Sequence, residues 1–457
     1  MLFLLLIAFI RYSFSDKIFS IFVSKTILNQ AMFPGYIRHI NSLIVILYPR
    51  VLKFEFSWKK LLVGFLSLAL FTKASSQQVQ IDTTVTNQKD VIDVILKVFK
   101  ISPTKSDSTR QNKKVQFSLV PTGGASPGGG AAIVTALNAA FYTGPVSSTS
   151  LSTITFSPWF SFDGKLVFPI RQLIWFPNNK FLSKGDTRFM IYPQETWGLG
   201  GKNEKEKNII LDYNYVRVYQ SLLKELGKNV FLGAGYTLDY HYGLSVSEDS
   251  THFAKIPFYD YKDQLLNSTI SSGPVLNFLI DTRRNAINPE GGFYFSTDYR
   301  FNLDELGSTD DWQSVYIDMR KYFSFSKKQK NLLAFWTYYW GVVNGKVPYL
   351  DLPSIGWDYL NHSGRGFQQS RYRGKHLLYF ESEYRRDISR NGLWGFVIFS
   401  NLHTTSEYLT DRFVYWHPAA GFGVRLKFNK ISKTNISLDF GFSKDFFSID
   451  LALGEIF

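Results

Sequence analysis

The sequence predicts an all-β protein, a closed antiparallel transmembrane β-barrel of about sixteen strands seated in an outer membrane. Three observations predict it. Over most of the chain the apolar residues recur at every second position, not every third or fourth. Aromatic residues make up 17% of the chain, with 42 Phe, 26 Tyr and 10 Trp, and they crowd onto the apolar side of that alternation. A short cationic and apolar stretch of the kind that directs export precedes the alternating region.

The alternation is explicit in four places. Phe293, Phe295, Thr297, Tyr299 and Phe301 alternate with Tyr294, Ser296, Asp298, Arg300 and Asn302. Val315, Ile317 and Met319 oppose Tyr316, Asp318 and Arg320. Ile436, Leu438, Phe440 and Phe442 oppose Ser437, Asp439 and Gly441. Phe447, Ile449, Leu451, Leu453 and Phe457 oppose Ser448, Asp450, Ala452 and Gly454. A strand with one apolar and one polar face reads this way. Sixteen such segments follow one another between 115 and 457, the last over 446–457. A soluble sandwich would also supply many strands. Here the polar faces carry Asp, Glu and Arg, the apolar faces are rich in rings, and an export signal comes first. A barrel with rings toward lipid and charges in the lumen accounts for all three, and closure removes the edges of so wide a sheet. Residues 123–162 carry no charge, yet Gly128-Gly129-Gly130 and Gly144-Pro145 break them up, which favours strands over a membrane helix.

The elements before the barrel follow from composition. Lys59 and Lys60, the apolar stretch 61–71 and the small residues up to Ser76 make 51–76 a signal peptide. Residues 1–50 read as upstream sequence, with the true start near Val51 or Leu52. Residues 77–114 are a short periplasmic segment. Asp90–Lys100 is predicted as a three-turn amphipathic helix ended before Pro103, and 105–114 as a linker.

The formal charge of +14 points to no nucleic acid, because residues 1–76 hold nine basic and two acidic residues and so half of the excess. No cysteine is present, which excludes disulfides, thiolate metal sites and thiol nucleophiles. The seven histidines show no metal spacing, and 121–132 is glycine-rich without the Lys-Ser/Thr of a phosphate loop. Asp281, Arg283 and Asp439 read as wall charges rather than acid–base groups. The chain is therefore expected to have no catalytic residues, no cofactor and no metal.

The C-terminal third is more specific. Gly364-Arg365-Gly366-Phe367 lies in a long segment, 344–373, between two strands. Arg371, Arg373-Gly374 and then Glu383-Tyr384-Arg385 follow it; DTRRNAINPEGGFYFSTDYRF (281–301) precedes it, and the chain closes on FFSIDLALGEIF. In order and spacing these resemble the barrel of the BamA/TamA family of bacterial surface antigens, over 115–457. The resemblance implies a long loop folded into the barrel, with Arg365 held by acidic groups on the inner wall. Glu383 matches the family's wall carboxylate. Glu381, Tyr379 and Arg385 share its side of the strand, and Leu378, Phe380 and Tyr384 point the other way. On the next strand, where a second acid often stands, Phe399-Ser400-Asn401 offers Asn401. Phe457, with Leu453, Leu451 and Ile449 on the same face, resembles the terminal signal read by the barrel-assembly machinery, which marks the chain as a substrate of that machinery.

Residues 77–114 are too few for the periplasmic polypeptide-binding domains of the family, so the resemblance is to its barrel-only members. It implies a protein that assists insertion or translocation of polypeptides at the outer membrane of a Gram-negative-type bacterium. It would work by local bilayer thinning beside a seam between first and last strands, with outer-membrane lipid and unfolded polypeptides as partners. Two other readings stay open: a passive or gated channel, and a structural surface antigen or subunit recruited through loops 243–270 and 403–413.

Overall fold

In a computed structural model, residues 88–98, 115–125, 131–246, 258–283, 285–325, 331–430 and 433–457 are described. The expected signal peptide and upstream segment lie outside the described residues. The alternating region forms one antiparallel sheet of eighteen strands. The first nine are β1 (Val115–Ala125), β2 (Ala131–Phe141), β3 (Ser152–Phe156), β4 (Trp159–Ser161), β5 (Leu166–Trp175), β6 (Phe181–Ile191), β7 (Gln194–Thr196), β8 (Ile209–Gly227) and β9 (Val230–Val246). The second nine are β10 (Thr269–Asp281), β11 (Gly292–Asn302), β12 (Trp312–Ser324), β13 (Asn331–Gly345), β14 (His376–Asp387), β15 (Trp394–Thr405), β16 (His417–Asn429), β17 (Thr434–Ser443) and β18 (Phe447–Leu453).

The expected count of sixteen is corrected to eighteen, and proline is the reason. The pass over 150–162 splits at Pro158 into β3 and β4, which both pair with β2 and β5. The pass ending near 197 splits at Pro193 into β6 and β7, which both pair with β8. Proline has no N–H for the ladder, so each pass is interrupted without leaving the sheet. The uncharged stretch is strand rather than helix, and among the described residues no helix is long and apolar enough to cross a membrane.

Each pass pairs with the next from β1 to β18, and β18 comes alongside β1. The two faces of the sheet differ as the alternation requires. One bears Phe168, Phe189, Leu276, Phe335, Phe380, Ile398 and Phe422, all exposed. The other bears Asp186, Arg188, Arg217, Asp239, Asp318, Arg320, Glu383, Arg425 and Asp439, all buried. This is the inverse of a water-soluble domain, in which large rings go inside and charges outside.

Two clusters of buried apolar groups join the inner face to the segment between β13 and β14, and a third, Leu182, Leu223, Phe231 and Leu279, lies on the sheet alone. Tyr192, Tyr213, Tyr215, Phe258 and Tyr349 form one cluster, and Trp336, Tyr338, Phe367, Tyr379 and Phe457 another. The predicted helix is α1 (Val91–Val98). Asp90 and Asp93 cap its start reciprocally: the Asp93 N–H donates to Asp90 Oδ1 (2.8 Å) and the Asp90 N–H to Asp93 Oδ2 (3.1 Å). The turns that follow β14 and β16 receive it: the Lys89 N–H donates to the Asn391 carbonyl (2.9 Å) and Lys430 Nζ pairs with Asp93 (2.7 Å).

The last strand is shorter than its alternation suggests. β18 ends at Leu453, and Gly454, at φ +109°, turns the chain off the strand axis. Phe457 therefore does not share a face with Ile449. Ile449 is exposed, while Phe457 is buried on the inner side against Trp336, with ring centroids 5.3 Å apart. The period-two reading fails here because it carries the strand through a glycine that leaves it.

Candidate functional site

The segment between β13 and β14 is held in shape by its own polar groups. Arg373 Nη1 donates to the carbonyls of Tyr349 (2.8 Å), Leu350 (3.1 Å) and Leu352 (3.2 Å). Asp358 accepts from the main-chain N–H groups of Leu360, His362 and Ser363. These bonds bring the chain to Gly364-Arg365-Gly366-Phe367, where the Phe367 N–H closes a turn on the Gly364 carbonyl (2.8 Å). Gly364 and Gly366 have φ of +83° and +89°, a region that disfavours any side chain. At Gly366 a Cβ would also come within 3.0 Å of the Phe442 nitrogen on β17. The glycines let the tip lie flat against the wall and leave Arg365 as its one long polar side chain.

Arg365 is 3% exposed. Its Nη1 donates to Asp439 Oδ2 on β17 at 2.7 Å, and its Nη2 donates to both Glu381 and Glu383 on β14. The guanidinium lies 3.6 Å over the ring of Phe399 on β15. Asn401, two residues along, donates to the Arg365 carbonyl (2.9 Å), and the Gly366 N–H donates to Ser448 Oγ on β18 (2.8 Å). Strand alternation places these groups together: Glu381 and Glu383 on β14, and Phe399 and Asn401 on β15, all fall on the inner phase. A guanidinium this deep needs carboxylates with good geometry, because the loss of hydration is several kcal/mol per ion.

A second layer of charge continues below the tip. Arg385 Nε meets Glu383 at 2.5 Å and Glu455 at 3.7 Å. Arg425 meets Asp439 at 2.5 Å, Glu455 at 2.8 Å and Glu383 at 3.9 Å. Phe457 joins this layer: Arg385 Nη2 donates to its main-chain oxygen (2.9 Å) and stands 5.2 Å over its ring. The loop reaches the tail as well, through His362 Nδ1 and the Ile456 carbonyl (2.8 Å).

The loop is tied to other walls too. Arg188 on β6 grips Asp186 and donates to Asn361 Oδ1 and the Tyr359 carbonyl, each at 2.8 Å. Tyr192 donates to Gln369 (2.7 Å), and Ser271 on β10 to Asp351 (2.6 Å). One loop thus touches strands from β6 round to β18, so the sheet curls about it.

Of the residues expected at the site, Gly364, Arg365, Gly366, Phe367, Glu381 and Glu383 come together. Leu451 stays on β18, Leu453 ends it, and Phe457 has left it. Three participants were not paired by sequence reasoning: Asp439, Arg425 and Glu455. The alternation makes Asp439 a wall charge, and its phase on β17 is the available signal. It supplies the second acid that Asn401 does not. At the loop end of the sheet, Tyr408 stacks on Tyr259 (4.7 Å) and donates to Asp260 (2.7 Å), so the two loops proposed as docking elements lie against each other. Among the described residues, Asp304, Glu305 and Asp311 form an exposed group close enough to share a cation, and nothing else there points to one.

No protein-family model matches the sequence, and no curated protein matches it. Among solved structures the chain is similar to BamA of Haemophilus ducreyi lacking POTRA domains 1–3, with a TM-score of 0.48 and 12% identity, over 75% of this chain and 70% of that one. It is similar to CdiB of Acinetobacter baumannii at TM-score 0.48 and 13% identity, over 75% and 60%. It is similar to CdiB of Escherichia coli at TM-score 0.49 and 10% identity, over 75% and 67%.

Proposed function

We propose that this chain is a closed outer-membrane barrel of the BamA/TamA type that assists insertion or translocation of polypeptides. The observation that carries the reading is Arg365, brought by a glycine-flanked tip to Glu381, Glu383 and Asp439 on the inner wall. The exposed aromatic and aliphatic outer face supports a lipid surround. A last strand of seven residues beside β1 supports a weak seam, since β8 and β9 pair over far longer ladders. An export signal in 51–76, outer-membrane lipid and unfolded polypeptides as partners, and assembly by the barrel-assembly machinery belong to the same reading. A freely open diffusion pore is disfavoured, because the loop and the Tyr-rich cluster occupy much of the interior.

The test uses the absence of native cysteine. Pairs of cysteines introduced across β1 and β18 are oxidised in reconstituted protein, and insertion of an unfolded outer-membrane polypeptide is followed by protease protection. Locking the seam is expected to abolish insertion and reduction to restore it. If the locked protein stays active while small-solute flux depends on Arg365, the channel reading takes its place.

A further inference from the structure

The loop does not fill the interior completely. A cavity of about 210 Å³ remains between the loop, the β4–β6 wall and β18, lined among others by Trp159, Arg171, Arg188, His362, Gln368 and Asp450. It has room for several waters, or for a molecule of amino-acid or dipeptide size. Its charged groups divide into satisfied and unsatisfied ones. Arg188 spends its guanidinium on Asp186, Asn361 and the Tyr359 carbonyl, Arg365 is held by three carboxylates, and His362 binds the Ile456 carbonyl.

Arg171 and Asp450 are different. The guanidinium of Arg171, on the inner phase of β5, makes no hydrogen bond among the described residues, and its Nε has no hydrogen-bond partner. Its nearest carboxylate, Asp186, is 3.9 Å away and already engaged by Arg188 at 2.5 Å. Arg217 shares that same carboxylate at 4.0 Å, so three guanidiniums surround one acid. Asp450, on the inner phase of β18, accepts from Ser448 Oγ (2.9 Å) and has no basic partner among the described residues. The strand beside it, β1, carries no basic residue. A cation whose guanidinium makes no hydrogen bond and an anion that forms no ion pair among the described residues line one small hollow. Both side chains are half-buried and face the hollow, with Arg171 32% exposed, and a molecule carrying both charges would give each the opposite charge it lacks at hydrogen-bond distance.

We propose that this cavity is a binding site for a small zwitterion of amino-acid or dipeptide size, its carboxylate on Arg171 and its ammonium on Asp450. The site goes beyond the polypeptide-handling reading and does not depend on it, because the purified protein binds the ligand with no insertion assay involved.

Glycylglycine is the probe, titrated calorimetrically into the full chain in detergent micelles. N-acetyl-glycylglycine, which keeps only the anion, and glycylglycinamide, which keeps only the cation, are the controls. Saturable binding of glycylglycine is expected, weakened about tenfold or more by Arg171→Gln and by Asp450→Asn. The acetylated probe is expected to bind more weakly and to ignore Asp450→Asn. Heat-modifiability on gels verifies that each variant is folded. Arg171→Lys, which keeps the charge and loses the fork, replaces Arg171→Gln where the latter does not fold, and it too is expected to weaken binding. No saturable binding to the wild type, or binding that survives both substitutions, overturns the proposal.

Discussion

Arg365 Nη1 donates to Asp439 Oδ2 at 2.7 Å, linking the tip of the long β13–β14 loop to a strand 74 residues further along the chain. The bond is buried at both ends, with side-chain exposures of 2% and 1%. Removing one partner of such a pair strands the other charge, at about 3–5 kcal/mol, whereas removing both costs less than the sum. Arg365→Ala and Asp439→Asn are therefore expected to be non-additive. The measurement is a double-mutant cycle on urea unfolding in detergent. Strict additivity would mean that the two groups do not act as a pair in the folded protein.

Much of this site was legible in the sequence, for a simple reason. Period-two alternation fixes which residues share a face, so Glu381, Glu383 and Arg385 are placed on one wall without knowledge of the fold. Alternation does not say which strands face each other across the interior. Asp439 could be assigned to the inner wall, but its meeting with Arg365 depends on how far the sheet curls about the loop. The tail failed for a local reason: Gly454 ends the strand, and a pattern cannot register that Arg385 and Trp336 hold Phe457 on the other side. Strand count failed at Pro158 and Pro193, where the breaks are short enough for the alternation to seem continuous.

Gly366 offers a test of the tip's fit. At φ +89° a methyl group is strained, and here it would press on the Phe442 nitrogen at 3.0 Å and Ala419 Cβ at 3.1 Å. Gly366→Ala is expected to destabilise by about 1–3 kcal/mol, or to expel the tip. Gly227, where a Cβ would meet nothing within 4 Å, is the control. Limited proteolysis between 346 and 375 reports expulsion. Equal resistance in the two variants would show that the tip is not tightly seated.

Helix α1 is tied to the turn after β16 through its acidic first turn. Lys430 Nζ meets Asp93 at 2.7 Å, with both side chains about a third exposed (27% and 33%), and its N–H donates to Asp90 Oδ2 at 3.0 Å. A half-exposed pair of this kind contributes at most about 1 kcal/mol. Lys430→Ala is expected to raise amide exchange in 91–98 several-fold and leave exchange in β16 and β17 unchanged. Faster exchange throughout the sheet would make the helix a structural part of the sheet rather than an appended cap.

Phe457 and Ile449 make the sharpest contrast between pattern and packing. If the terminal residues formed one lipid-facing row, truncating either would have a similar and small effect on the folded barrel, because lipid closes over the lost methyls. In the structure Phe457 is 3% exposed between Trp336, Tyr322 and Arg385, whereas Ile449 is 37% exposed on the outer face. Phe457→Ala opens an interior cavity and releases the Arg385 contact, and about 3–5 kcal/mol is expected. Ile449→Ala is expected to stay within about 1 kcal/mol, since a side chain exposed on the outer face loses little packing. The temperature at which each purified variant loses its heat-modifiable form orders them. Equal shifts would return Phe457 to the outer row, and with it the straight terminal strand that the alternation alone predicts.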